Sequence, residues 1–356
     1  MNTLNPALAT PLAPSSAHIV RHHRLLMLIV AAHYCLALYL RRLFPTKLTQ
    51  APEFLPFFAS LATGLVFALC GYAVFVMVVR RPKRLLHYLG TNLRAYVTLH
   101  RLLYALPVLL MVPLFAYSFT IVKASIPLFN PFDWDIRLSA LDAQLHGGTQ
   151  PWALLQPLLG YPLVTSILNF NYHMWFFLMF GSIYWFAFSV ERAQLRMQYL
   201  LSFMAVWILM GNVGALLMSS AGPCYFGRIT GVADPYAPLM QYLQAANQSA
   251  PVWALNVQDL LWNSYQGKLE GVSLGISAMP SLHVASSVQL AMLGRRLNRK
   301  LGIAMTVWAV LIMIGSVHLG WHYAVDGYIG AASGYLVWKL VERFLRSHRP
   351  AAEGQQ

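Results

Sequence analysis

Charge is what this sequence has least of. Its 356 residues include 25 Lys or Arg and only 11 Asp or Glu, so 10% are charged against 58% hydrophobic. Soluble domains run at about 25% charged and about 45–50% apolar. A chain this poor in charge cannot cover itself with a water-facing surface, and its mean hydropathy is +0.54. A soluble fold is therefore excluded, and the bilayer is the solvent. Cysteine is nearly as scarce. Cys35, Cys70 and Cys224 are an odd number without metal-type spacing, and they carry no disulfide framework. No internal repeat stands out. The shortage of acids leaves a net charge of +14. In a soluble chain that would point to nucleic acid. Here the basic residues cluster between apolar runs, so anionic lipid headgroups and membrane orientation account for them, and no nucleic-acid partner is expected.

What is present is a series of long apolar runs. A helical span needs about 20 mostly apolar residues. Eight runs qualify, at roughly 25–43, 54–79, 102–122, 164–189, 198–219, 280–295, 301–319 and 324–345, the sixth being short and polar. The run Leu25 to Leu40 follows Arg21 and Arg24 as a leader would, but it ends in Leu40-Arg41-Arg42 without a small-residue cleavage site and reads as a retained span. The expected organisation is a disordered N-terminus over 1–24, two N-terminal spans and a basic loop over 25–101, a six-span catalytic domain over 102–346 and a tail over 347–356. Arg80, Arg81, Lys83, Arg84, Arg94 and Arg101, then Arg192 and Arg196, Arg295 to Lys300, and Lys339 to Arg349 all fall on one side if both termini are cytoplasmic. Arg41, Arg42 and Lys47 fit this orientation poorly. Two segments on the other side are long. In 123–163, Leu138, Leu141 and Leu145 recur at helical spacing and read as an interfacial amphipathic helix over the mouth of the bundle. Residues 220–279 read as a loop or lid.

Chemistry concentrates in two short segments. In Pro280-Ser281-Leu282-His283, Pro280 suits the first turn of a helix, and a helix N-terminus beside a hydroxyl and an imidazole is a phosphate cradle. In His318-Leu319-Gly320-Trp321-His322-Tyr323-Ala324-Val325-Asp326, His322 and Asp326 are four apart and would share a helical face. A carboxylate on one imidazole nitrogen sets the tautomer and frees the other nitrogen. Asp326 also opens an apolar run, where an ionisable group is expensive. The other ten acids have ordinary loop or terminal readings.

At these residues the chain resembles the type-2 phosphatidic acid phosphatase superfamily, whose members carry Pro-Ser-x-His and a Ser-Arg-x5-His-x3-Asp segment. The first motif is complete here, and His322-x3-Asp326 matches the second. The family's Ser-Arg falls on Gly315-Ser316, and its upstream Lys-x6-Arg-Pro is replaced by Gly222-Pro223-Cys224-Tyr225-Phe226-Gly227-Arg228. That stretch is most similar to the inositolphosphotransferase (inositol phosphorylceramide synthase-like) branch. Asn169-Phe170-Asn171-Tyr172-His173 and Leu138-Ser139-Ala140-Leu141-Asp142 also resemble that branch.

The resemblance implies an all-α integral membrane protein, a six-helix bundle with two additional N-terminal transmembrane helices. It implies a membrane lipid phosphatase or phosphotransferase with His322 as nucleophile, Asp326 orienting it and His283 protonating the leaving oxygen. Ser281, Arg228, His318 and Tyr225 become candidate phosphate ligands, and Asn171 and His173 candidate substrate contacts. The donor would be a lipid phosphate or phosphodiester, and the acceptor water or a lipid alcohol such as ceramide or diacylglycerol. No cofactor and no metal are implied. His318, His322 and Asp326 at i, i+4 and i+8 invite a zinc reading, but Gly320-Trp321 interrupts any helix there. The expected location is a bacterial inner membrane with the site facing the periplasm. The competing class is a non-enzymatic transporter or scaffold, in which the same histidines and carboxylate would be buried structural contacts.

Overall fold

The computed structural model describes residues 16–48, 62, 66, 69–268 and 274–348, and all regular structure among them is helical. Most of the expected N-terminal disorder, half of the expected span 54–79 and residues 349–356 lie outside the described residues. Helix α1 spans Ser16–Leu43, and α2, Leu69–Arg80, is the described end of the second run. After α3 (Leu85–Tyr96) comes α4 (Leu99–Phe129), whose start is capped by Thr98 Oγ1 accepting the Arg101 N–H at 3.3 Å. The short helices α5 (Asp135–Leu145) and α6 (Pro151–Leu159) lead into α7 (Pro162–Ala187), which bends away from α6 by 117°. Helix α8 (Ala193–Leu217) carries a π-helical stretch at Leu209–Gly214. The expected lid over 220–279 begins with short helical turns at Pro223–Tyr225 and Phe226–Ile229 and contains two longer helices, α9 (Ala237–Asn247) and α10 (Trp253–Tyr265). The chain closes with α11 (Leu282–Leu297), α12 (Arg299–His318) and α13 (Ala324–Ser347).

Helices α1, α4, α8 and α12 are long and apolar enough to cross a membrane, and the bent pair α6–α7 forms a fifth candidate. This is a multi-pass membrane protein. The expected sixth and eighth spans, α11 and α13, are helices but lack the hydropathy of the others. The polarity of α11 is used inside the bundle: Gln289 Nε2 donates to Ser202 O of α8 at 3.0 Å, and Ser286 Oγ accepts from Trp175 Nε1 of α7 at 2.8 Å. A helix surrounded by protein can carry such groups because neighbouring helices offer them partners, which lipid would not.

Helix α11 is the hub, packing against α7, α8, α12 and α13. Outside this bundle, α1 lies along α4, where His33 Nδ1 donates to Ser118 Oγ at 2.7 Å and Asn212 in the π-stretch reaches His33 Nε2 at 3.4 Å. Because neighbouring helices alternate in direction, the ends of α4, α8 and α12 and the starts of α11 and α13 converge on one end of the molecule. Both sequence motifs are there.

Candidate active site

The two motifs meet through the backbone. Ser281 N–H donates to Asp326 O at 3.1 Å, tying the start of α11 to the first turn of α13. Pro280 is not in the first turn of α11, as its sequence position suggested, but precedes the cap. Ser281 is the N-cap, its fully buried hydroxyl accepting the Val284 N–H at 3.4 Å. That bond uses one of the free N–H groups every helix start presents.

His322 and Asp326 do not lie on a common helical face either. Helix α12 ends at His318 in a Schellman turn: Gly320 has φ +72°, Trp321 N–H reaches Ser316 O at 3.0 Å and Gly320 N–H reaches Val317 O at 3.1 Å. Only glycine adopts this left-handed conformation without strain. His322 N–H shares the Ser316 carbonyl at 3.1 Å, so the residue standing where the family has arginine anchors the histidine loop through its backbone. Helix α13 then starts after Tyr323, and Asp326 in its first turn folds back. Its Oδ2 accepts the Tyr323 N–H at 3.0 Å and lies 3.4 Å from His322 Nδ1. Helix capping, rather than side-by-side spacing, makes this pair. Nδ1 is directed at the carboxylate, and the ring also meets the Ala278 backbone.

Two further carboxylates brace this loop, and both come from α5. Asp135 accepts from Ala221 N at 2.9 Å, Gly222 N at 2.8 Å and Tyr323 Oη at 2.7 Å. Asp142 accepts from Ala324 N at 2.6 Å and Val325 N at 2.9 Å, capping the helix that carries Asp326. Both are 1% exposed, so they are not the ordinary loop residues their sequence positions suggested. Burial pushes each carboxyl above the usual carboxylate range, and the hydrogen bonds pull it back. The expected helix over Leu138, Leu141 and Leu145 is present. Asp135, Leu138, Ser139 and Asp142 face inward, whereas Leu141 and Leu145 are exposed.

His283 and His322 face each other with ring centroids 5.7 Å apart. His283 is held between Tyr172 and Trp175, at 4.6 and 4.2 Å between centroids. Both histidines line a cavity of about 210 Å³ together with Phe119, Lys123, Trp207, Tyr225 and Trp321. Drug-sized ligands occupy about 300–1,000 Å³, so this cavity suits a small polar headgroup and not an acyl chain. Burial, reinforced by the positive charge of Lys123, lowers the affinity of the His322 imidazole for a proton and keeps it neutral. A larger cavity of about 610 Å³ lies at the opposite end of α11, among Leu290, Leu293 and Leu297. None of the motif residues reaches it, so the smaller cavity is the candidate site.

The remaining candidates divide. The Tyr225 ring lines the cavity while its hydroxyl donates to Gln258 O at 2.8 Å. Arg228 pairs with Asp259 at 3.5 Å on a half-exposed surface and lies over Trp262, away from the cavity lining. His318 is fully buried and shares a 2.9 Å hydrogen bond with Thr165 Oγ1, behind the site. His173 bonds the Asn169 carbonyl of its own helix at 2.8 Å and meets Trp253 edge-on, and neither His173 nor Asn171 is part of the cavity wall. Sequence reasoning missed Lys123, which lies one residue beyond the expected end of the third span. A cation at the end of an apolar run was the available signal.

A model of the PAP2 superfamily matches residues 136–340. That is more than half of the chain, and the protein belongs to this superfamily. It is accordingly an enzyme of phosphate esters, with lipid phosphates as its general substrate class. No curated protein and no solved structure matches the chain.

Proposed function

We propose that the protein transfers a phosphoryl group from a lipid phosphate ester through a covalent intermediate on His322. The observation that carries this reading is the placement of a neutral, buried His322, backed by Asp326 at Nδ1, across a headgroup-sized cavity from His283. His322 Nε2 attacks phosphorus, forming the N–P bond as the ester P–O bond breaks. Asp326 holds the Nδ1 proton and stabilises the charge that develops on the ring. His283 gives a proton to the departing lipid oxygen. In the second half, His283 takes a proton from the incoming hydroxyl, whose oxygen attacks phosphorus and releases His322. Water as acceptor makes the enzyme a phosphatase, and a lipid alcohol makes it a phosphotransferase.

One observation favours the phosphotransferase, which is also the activity of the inositolphosphotransferase branch that the motifs resemble. Lys123 is the one Lys or Arg among the described residues lining the cavity. A single fixed cation in low dielectric matches the single negative charge of a phosphodiester, whereas a monoester dianion would leave one charge uncompensated.

The arginines at the ends of α3, α11 and α13 and around the start of α8 lie opposite the site. Under the positive-inside rule they face the cytoplasm, and the active site faces the periplasm of a bacterial inner membrane.

The test is a mass-spectrometric screen of the purified protein with phosphatidic acid, isoprenoid phosphates and phosphatidylinositol, each with and without ceramide or diacylglycerol. Free phosphate reports hydrolysis and a new phospholipid reports transfer. Quenching with detergent at alkaline pH during turnover should trap an acid-labile phosphate on His322. Turnover without such an adduct, and undiminished in His322→Ala, would sink the covalent mechanism.

A further inference from the structure

The two histidines are held in different ways. His322 has Asp326 at Nδ1, whereas no hydrogen bond to the His283 ring forms among the described residues. An imidazole without such an anchor, at the wall of a cavity, is free to turn about its side-chain torsions. The neighbours of His283 are aromatic and come from one turn of α7. Tyr172 stacks on the imidazole with ring centroids 4.6 Å apart and planes 25° from parallel, and Trp175 lies 4.2 Å away. The i, i+3 spacing puts both on one face of the helix, whereas Asn171 and His173, the contacts expected from the same segment, are absent from the cavity lining. Trp175 is itself fixed, because its Nε1 donates to Ser286 Oγ, one turn along α11 from His283, at 2.8 Å. Tyr172 is buried and its hydroxyl has no hydrogen-bond partner among the described residues, so the ring and not the oxygen keeps it in place. Its edge rests on α12, where a Cβ at Gly315 would stand 3.5 Å from Tyr172 Cδ2. Trp321, immediately before His322, lies 8° from parallel to the Tyr172 ring at 6.4 Å between centroids. Tyr172 therefore links the ring of one histidine to the residue that precedes the other.

We propose that Tyr172 and Trp175 are positioning residues for the general acid: they clamp the His283 imidazole in the orientation that delivers its proton to the leaving oxygen, and Tyr172 fixes it relative to the His322 loop. This deepens the phosphoryl-transfer reading above and rests on it. In the first step the His283 N–H bond breaks and its proton passes to the lipid oxygen, as the ester P–O bond breaks and the His322 N–P bond forms. Stacking restrains the ring without occupying a nitrogen, so the nitrogen that gave its proton can take one from the acceptor in the second step. An aromatic face also attracts a cation, which favours the imidazolium that the first step requires. A carboxylate in the same place would hold that cation more firmly, but it would also repel the incoming phosphate.

The test uses the purified full-length chain in detergent and two substrates that differ in their need for a general acid. The alkoxide leaving from phosphatidic acid must be protonated, whereas the 4-nitrophenolate leaving from 4-nitrophenyl phosphate is stable as an anion. A positioned general acid contributes about 10²–10⁴-fold, and a misplaced one forfeits part of that. Trp175→Leu and Tyr172→Leu should therefore lower kcat for phosphatidic acid by about tenfold or more, and for 4-nitrophenyl phosphate by less than about threefold. Trp175→Phe and Tyr172→Phe keep a ring and should recover most of the loss. His283→Ala should show the same selectivity in a larger loss. Equal losses on both substrates in the leucine variants, or no loss, overturn the clamp while leaving the roles of His283 and His322 intact. A loss shared equally by both substrates in His283→Ala, or a parent protein that forms no His322 adduct with them, overturns the reading on which the clamp rests. If the leucine variants do not fold, Ser286→Ala decides, because it removes the anchor of the Trp175 indole. A loss of about two- to fivefold confined to phosphatidic acid, the worth of one hydrogen bond, supports the clamp. A loss shared by both substrates, or none, overturns it.

Discussion

The two ends of the bundle use their few acids in opposite ways. At the end carrying the motifs, Asp135, Asp142 and Asp326 are all but inaccessible to solvent and spend their oxygens mostly on backbone N–H groups. At the other end, Glu191 pairs with Arg101 and is largely exposed, and Glu342 gathers Arg296, Lys339 and Arg346. The first arrangement fixes geometry, because a buried carboxylate that accepts two or three amide protons holds those residues in one place. In the second, the exposed Arg101–Glu191 pair is screened and contributes little to stability, and Glu342 is a buried carboxylate that gathers charged side chains and not backbone N–H groups. Positioning is therefore concentrated where His322 must be aimed.

The contrast is broken most severely by removing the group being aimed. His322→Ala should lower turnover by about a thousandfold or more, the usual loss when a covalent nucleophile is deleted, with the thermal unfolding midpoint unchanged. Asp142→Ala comes next. It leaves the Ala324 and Val325 N–H groups buried without an acceptor, which costs about 1–3 kcal/mol. It should reduce turnover about 10- to 100-fold by loosening the turn that carries Asp326. Unfolding and turnover measured on the same preparation check this, and full activity would show that α5 is only a cover. Asp135→Asn keeps one acceptor oxygen but points an NH2 at two donors, so turnover should fall several-fold; a loss as large as that of Asp142→Ala would reverse the ranking. Lowering pH from 7 to 5 should leave adduct formation on His322 nearly constant, because burial keeps the ring neutral well below the ordinary imidazole range near 6.5. A drop centred near pH 6.5 in rapid-quench experiments would contradict that. Smallest of all, Glu191→Gln should change stability by less than about 1 kcal/mol and leave turnover intact; a clear loss of activity would mean that the two ends are coupled.

Much of the site was readable in advance, and the misses share a cause. His283, His322 and Asp326 announce themselves because each sits in a short, chemically distinctive run, and the structure brings them together. Asp135 and Asp142 looked ordinary because their partners, Gly222 and Val325, are far away in sequence, and backbone N–H groups leave no mark on a sequence at all. Lys123 was hidden by a span boundary: ending the third run at 122 put it in a loop, whereas α4 continues to Phe129 and carries the lysine into the cavity wall. Arg228 and His318, expected as phosphate ligands, are not part of the cavity lining. Arg228 has an acidic partner in Asp259, and the Schellman turn at Gly320 separates His318 from His322.

Composition and local pattern determined the solvent, the helical class and the superfamily, since each depends only on residue types within a span or a motif. The paucity of charge, the apolar runs and the paired histidine motifs suffice for them. Which groups surround the phosphate was decided by tertiary structure alone. The cavity is assembled from the ends of α4 and α8, the start of α11 and the turn after α12, parts of the chain roughly 40 to 200 residues apart. Electrostatics acts through space over a few ångströms, so which cation lines the cavity, Lys123, is decided by where the helices end in the folded bundle.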